Sequence, residues 1–136
     1  MAMRREFHLV MDEEVGQWDD TLLFYLGQAL ESGYTFEQDY KQAYAVYEAA
    51  AEAGSADALN SMGWFTHKGL GRKPSLEQAM KLYTQAAAFG CATAAVNMGN
   101  IYESGELGSP DYAKALSWYK RGAELGSDTA QRGKLL

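Results

Sequence analysis

The chain has 136 residues, 47% hydrophobic and 22% charged, enough apolar material for one packed domain and too much for a disordered chain. A formal net charge of −6 argues against a general nucleic-acid binder. Cys91 is the only cysteine, so no disulfide can close within the chain.

At the N-terminus, Arg4 and Arg5 lead into FHLVM and then Asp12-Glu13-Glu14, an apolar stretch too short and too soon acidic for a secretory leader. No apolar run approaches the roughly 20 residues that cross a bilayer. No membrane partner is therefore expected, and the expected location is a reducing cytoplasm. Residues 1–18 read as an N-terminal capping segment. Phe7, Val10, Met11 and Val15 fall at the spacing of a degenerate helix, although the alternation of Phe7, Leu9 and Met11 equally suits an extended arm.

From residue 19 the chain repeats every 36 residues without a gap, in rows 19–54, 55–90 and 91–126. Six columns are identical in all three rows: Gly27/Gly63/Gly99, Gly33/Gly69/Gly105, Ala43/Ala79/Ala115, Tyr47/Tyr83/Tyr119, Ala51/Ala87/Ala123 and Gly54/Gly90/Gly126. Each row opens with a predicted helix A, over 20–32, 56–68 and 92–104. Each continues through a glycine turn into helix B, over 39–53, 75–89 and 111–125. In row one, positions 43, 46, 47, 50 and 51 form the stripe of an amphipathic helix. Gly33 and its copies read as ends of helix A, and Gly54 and its copies as ends of helix B. The glycine at 27, 63 and 99 lies inside a helix, where it costs about 1 kcal/mol against alanine. Accepting that cost three times implies a close helix–helix approach, with the tyrosine column as bulk beside it. After row three, SDTAQRGKLL over 127–136 reads as a C-terminal capping helix that begins like a fourth helix A. Lys134 and Leu135 stand there in place of the Met98 and Gly99 columns.

These rows resemble the Sel-one-like repeat (SLR) family, a relative of the tetratricopeptide repeats. Row three, MGNIYESGELGSPDYAKALSWYKRGAELG, follows the family pattern best. Row two, MGWFTHKGLGRKPSLEQAMKLYTQAAAFG, has Thr66 where the family has tyrosine. Row one, LGQALESGYTFEQDYKQAYAVYEAAAEAG, lacks the second turn glycine. The resemblance implies an all-α fold: an α/α solenoid, a right-handed superhelix of three 36-residue repeats with capped ends. It also implies A helices lining the concave side and a role as a protein-interaction module, whether adaptor, scaffold or inhibitor. A second branch of the family is envelope-associated, with hydrolase-like binding of cell-wall fragments. That branch pairs two cysteines per repeat, and Cys91 has no pair.

Chemistry finds little purchase, and no enzyme activity, cofactor or metal is expected. His8 and His67 have no metal-ligand company at a recognised spacing. Gly69-Leu70-Gly71-Arg72-Lys73-Pro74 has the look of a phosphate loop, but it falls where the repeat itself requires a glycine turn. Cys91 shares its column with Ser55 and Ser127, a helix N-cap position where a thiol can become acidic. A small residue tolerated at a cap is the simpler reading. Asp19-Asp20 and Glu13-Glu14 sit at helix starts, where the macrodipole favours them.

The expected contact surface is the side of helix A opposite Leu26, Met62 and Met98. At about 100° per residue, columns 21, 24, 28 and 31 point roughly 140–160° away from that stripe. Phe24, Gln28, Glu31, Asn60, Trp64, His67, Val96, Asn100 and Glu103 are the predicted partner-binding residues. The aromatics would serve as apolar anchors, and Gln28, Asn60 and Asn100 would hold the backbone of an extended protein or peptide partner. A clamp for a peptide carboxylate would need Lys or Arg where this chain has Thr21, Phe24 and Gln28. Charge is uneven: residues 1–60 carry three basic groups against twelve acidic ones, and residues 61–136 carry nine against six.

Overall fold

The structure, a computed structural model, describes the backbone of residues 19–33 and 37–135, and the side chains of residues 19–33 and 37–126. The expected N-terminal capping segment, residues 1–18, lies outside the described residues. The described chain is six helices: α1 (Asp20–Ser32), α2 (Tyr40–Glu52), α3 (Ala56–Lys68), α4 (Leu76–Ala88), α5 (Ala92–Ser104) and α6 (Tyr112–Leu135). Helices α1, α3 and α5 are the A helices of the three rows, and α2, α4 and α6 the B helices. No strand occurs among the described residues, and none of the helices is long and apolar enough to cross a membrane.

The helix ends follow from single side chains. Asp19, Asp39, Ser55 and Ser75 each accept a hydrogen bond from the backbone N–H three residues on, at 2.8, 3.1, 3.0 and 3.2 Å. The A helices close at Gly33, Gly69 and Gly105, whose φ of 71°, 75° and 80° lies in the left-handed region that a side chain disfavours. Each A–B turn is then fastened by the same backbone bond, one repeat apart: Asp39 to Leu30 at 3.0 Å, Ser75 to Thr66 at 2.9 Å and Asp111 to Tyr102 at 2.9 Å.

The core has two continuous parts. Around the first junction, Leu23 and Leu30 of α1 and Ala43, Val46, Tyr47 and Ala50 of α2 bury against Ala58, Met62 and Phe65 of α3. Phe65 receives the rings of Tyr40 and Tyr47 edge-on at 5.6 Å. Around the second junction, Ala79, Tyr83, Ala86 and Ala87 of α4 bury against Ala94, Met98 and Ile101 of α5. Helices α2 and α4 are thus each packed between their own A helix and the next, which makes the fold an all-α solenoid.

One expected boundary is corrected. In rows one and two the chain turns at Gly54 and Gly90, with φ of 111° and 100°. At Gly126 it does not turn, and α6 runs on as a single helix to Leu135 instead of ending near 125 before a separate capping helix over 127–136. A helix A folds back only when it has an apolar stripe to lay on the preceding helix. Residues 127–136 put Lys134 and Leu135 where that stripe and its close-approach glycine would be.

The interior glycines do what the repeat requires. A Cβ at Gly27 would lie 2.5 Å from Tyr47 Cε1, and one at Gly63 would lie 2.7 Å from Tyr83 Cε1. Gly99 meets Tyr119 in the same way. Gly63→Ala would gain about 1 kcal/mol of helix propensity. It would lose about 1–3 kcal/mol to overpacking against a ring that has no exposed surface on which to retreat. The expected outcome in chemical denaturation is net destabilisation; a Gly63→Ala protein more stable than the parent would mean the ring gives way freely.

Candidate partner-binding groove

The tyrosine column determines which side of each A helix is free. Once the Tyr47 ring has passed Gly27, its hydroxyl reaches one helical turn further and donates to Glu31 Oε1 at 2.7 Å. Burial first, and the neighbouring Glu31 second, hold the Tyr47 phenol far above its ordinary range. In row three, Tyr119 donates to Asn100 Oδ1 at 2.7 Å and also to Glu103, and the Glu103 bond is the main reason its phenol is raised. Row two departs from this. His67 stands where the others have glutamate and turns to the next repeat, with Nε2 2.7 Å from Glu106 Oε2. This contact becomes an ion pair when the imidazole is protonated. Tyr83 therefore packs edge-on to His67 at 6.2 Å, and its buried hydroxyl finds no hydrogen-bond partner among the described residues. Burial, with Glu106 nearby, raises that phenol too.

The opposite flank of the A helices is open. A groove of about 310 Å³ is lined by Gln28 and Glu31 of α1, Asn60, Ser61 and Trp64 of α3, and Thr93 and Asn97 of α5. Asn97 Nδ2 donates to Asn60 Oδ1 at 3.0 Å, tying two A helices together across its floor. Trp64 is 41% exposed, carries Lys68 Nζ over its ring at 4.9 Å, and leans edge-on to His67 at 6.5 Å. A larger concavity of about 590 Å³ adjoins at the N-terminal ends of the A helices, where Thr21, Phe24, Asp57, Phe89 and Thr93 contribute to its walls. Thr93 borders both.

Of the nine residues predicted by angle, Gln28, Glu31, Asn60 and Trp64 meet in the groove. Phe24 packs on Tyr47 at 5.8 Å and reaches only the adjoining concavity. Asn100 and Glu103 attend to Tyr119, and His67 to Glu106. Val96 leans onto α6, its Cγ2 lying 3.0 Å from where a Cβ on Gly122 would be. Ser61 and Asn97 were not anticipated. They share a column roughly 100° from Met62 and Met98, outside the 140–160° arc of the predicted face. A single reference column places the open face too far round, because the flank carrying Phe24, Val96 and Glu103 is occupied by the helix's own B partner, and Glu31, bonded to Tyr47, borders the groove from that side.

Two other sequence features resolve into structure. The Gly69–Pro74 turn stacks the Arg72 guanidinium on the Tyr44 ring, 3.8 Å from its centroid. Cys91 is buried, and its thiol donates to Asp57 Oδ1 at 3.4 Å. Burial pushes its pKa up to about 11; the backbone N–H of Ala94 opposes that rise, and the Asp57 charge adds to it. A thiol so placed is protonated at neutral pH, the reverse of a reactive cysteine at a helix N-terminus.

Two measurements check this site. Tyr83→Phe removes a buried hydroxyl that makes no bond, so its stability should equal or exceed the parent's. Tyr47→Phe breaks a bond to a carboxylate and should cost about 1 kcal/mol or more. Equal losses would show that both hydroxyls are satisfied. At pH 8 a disulfide reagent such as Ellman's should label native Cys91 slower than the guanidinium-unfolded chain by a factor on the order of 100. Comparable rates would mean the thiol is exposed.

The Sel1 repeat family model matches residues 22–55, 56–90 and 92–127. No curated protein matches the chain. Among solved structures, a Sel1 repeat protein from Oxalobacter formigenes superposes with a TM-score of 0.71 at 33% identity, over 79% of this chain and 44% of that one. A protective antigen of uropathogenic Escherichia coli displaying an SLR fold superposes with a TM-score of 0.70 at 32% identity, over 79% of this chain and 23% of that one. The chain therefore spans less than half the length of either protein. Sel1 repeat proteins are generally protein-interaction modules on a typically non-catalytic scaffold. With three matched repeats covering most of its length, this chain belongs to the Sel1 repeat family.

Proposed function

We propose that this protein binds an extended segment of another protein in the groove lined by its A helices, acting as an adaptor, scaffold or inhibitor. The observation that carries this is the convergence of amides around a half-exposed aromatic. Gln28, Asn60 and Asn97 bring side-chain amides from successive A helices into one groove, with Trp64 beside them as an anchor. Glu31 sits at one side of the same groove, so a segment with a basic residue flanking its apolar one fits best. A cytoplasmic setting agrees with a single protonated thiol that needs no oxidising compartment.

The test is affinity capture from cell extract, then titration of the purified partner. Trp64→Ala should weaken binding at least about tenfold, the loss typical of an aromatic hot spot, while leaving the thermal midpoint nearly unchanged. Unchanged affinity would place the partner elsewhere on the surface.

A further inference from the structure

Two slots lie between successive B helices, and the repeat makes them equivalent. Columns 48, 52, 59, 62, 82 and 89 around the first become 84, 88, 95, 98, 118 and 125 around the second. The second slot is closed. Trp118 and Leu125 pack on the cluster that holds Ala95 and Met98, which are 0% and 2% exposed, and Thr84 Oγ1 stands 4.0 Å from Met98 Sδ. In the first slot Leu82 stands in the column of Trp118, and Phe89 in that of Leu125. Leu59, in place of Ala95, takes up part of the room from below. An opening of about 350 Å³ remains over Leu59 and Met62, with Glu48 and Glu52 of α2 on one wall and Leu82 and Phe89 on the other. Phe89 is 73% exposed, more than any other large apolar side chain among the described residues.

Charge separates the two slots as well as shape. Where the open slot has Glu48 and Glu52, the closed one has Thr84 and Ala88. Glu52 is the last residue of α2, where the partial negative charge of the helix end disfavours a carboxylate. Helix α4 ends beside the same slot at Ala88, and neither helix has a basic residue in its last turn. None of the described residues lining the opening is basic. A cation brought here meets two carboxylates and two helix C-termini beside an apolar floor. We propose that this slot is a second docking site, which takes a tryptophan side chain of a partner protein with Lys or Arg next to it. The indole occupies the room that Trp118 fills one repeat on, and the flanking cations meet Glu48 and Glu52. The slot shares no lining residue with the groove, so this inference stands apart from the groove's own role.

Three end-capped tripeptides, titrated into the full chain at low ionic strength and followed by amide NMR shifts, test this. Lys-Trp-Lys should give saturable shifts at Leu59, Leu82 and Phe89. Glu-Trp-Glu and Lys-Ala-Lys each lack half of the chemistry, and each should bind at least about tenfold more weakly. Two variants copy the closed slot. Leu82→Trp should fill the opening and abolish the shifts. The double variant Glu48→Thr/Glu52→Ala, altered only at exposed positions, should weaken Lys-Trp-Lys to the same extent as reversing the peptide's charge. Thermal melts confirm that both fold, and the double variant alone decides should Leu82→Trp fail to. Trp64→Ala, in the groove, should bind Lys-Trp-Lys as wild type does. The proposal is overturned if Lys-Trp-Lys gives no saturable shift at the slot, if Glu-Trp-Glu binds as tightly, or if either folded variant binds like wild type. Equal binding of Lys-Ala-Lys would overturn it too, as the mark of a surface that attracts cations and seats no ring.

Discussion

In each repeat a tyrosine of helix B occupies the space where a side chain of helix A would begin. That contact sets more than the spacing of two helices. With Cε1 held against Gly27, Gly63 or Gly99, the phenol projects to the residue one turn further along helix A, which is Glu31, His67 or Glu103. One flank of every A helix is thereby drawn onto its B partner, and in rows one and three its polar groups are engaged from within. The groove lies on the other flank because that is the side the tyrosines leave free.

Such a contact also explains why glycine is accepted inside three helices. The loss of about 1 kcal/mol per site is offset by a fully buried aromatic ring, and burial of a large side chain is worth about 1.5–3 kcal/mol. Tyr47 and Tyr83 have no exposed surface, while Tyr119, which lacks a following helix, is only partly covered. The gain in a repeat therefore depends on having a neighbour, as expected for a solenoid whose stability resides in its junctions.

The fold was legible because the period is self-checking: six identical columns in three ungapped rows leave little freedom in where helices start, turn and end. Legibility stopped where a residue's environment depends on more than its own column. Gln28, Glu31, Asn60 and Trp64 could be found by angle. Ser61 and Asn97 could not, because the angle was measured from one buried column and took no account of the tyrosine flank. A signal was present all the same. Glu31 and Glu103 both lie four residues after the interior glycine, the reach of a phenol whose ring passes that glycine. The α6 boundary was missed for a related reason. Gly126 has the residue that permits a turn, but a turn also needs an A helix able to pack after it.

Row two shows how a repeat departs from its pattern without losing the fold. His67 replaces glutamate, so Tyr83 keeps its packing but loses its acceptor, and the imidazole joins Glu106 of the next repeat instead. Trp64 stands in the same turn, with His67 on its edge and Lys68 over its face. The row that is least regular in its tyrosine flank thus carries the one large aromatic of the groove. The glycine–tyrosine contacts hold all three rows at one spacing, which frees the groove columns to differ from row to row: Gln28, Trp64 and Asn100 occupy one column and Tyr25, Ser61 and Asn97 another. A surface read by a single extended partner needs that inequality, because three identical rows would accept the same segment in several registers. The fixed columns hold the helices in place, and the unequal ones give the groove a direction.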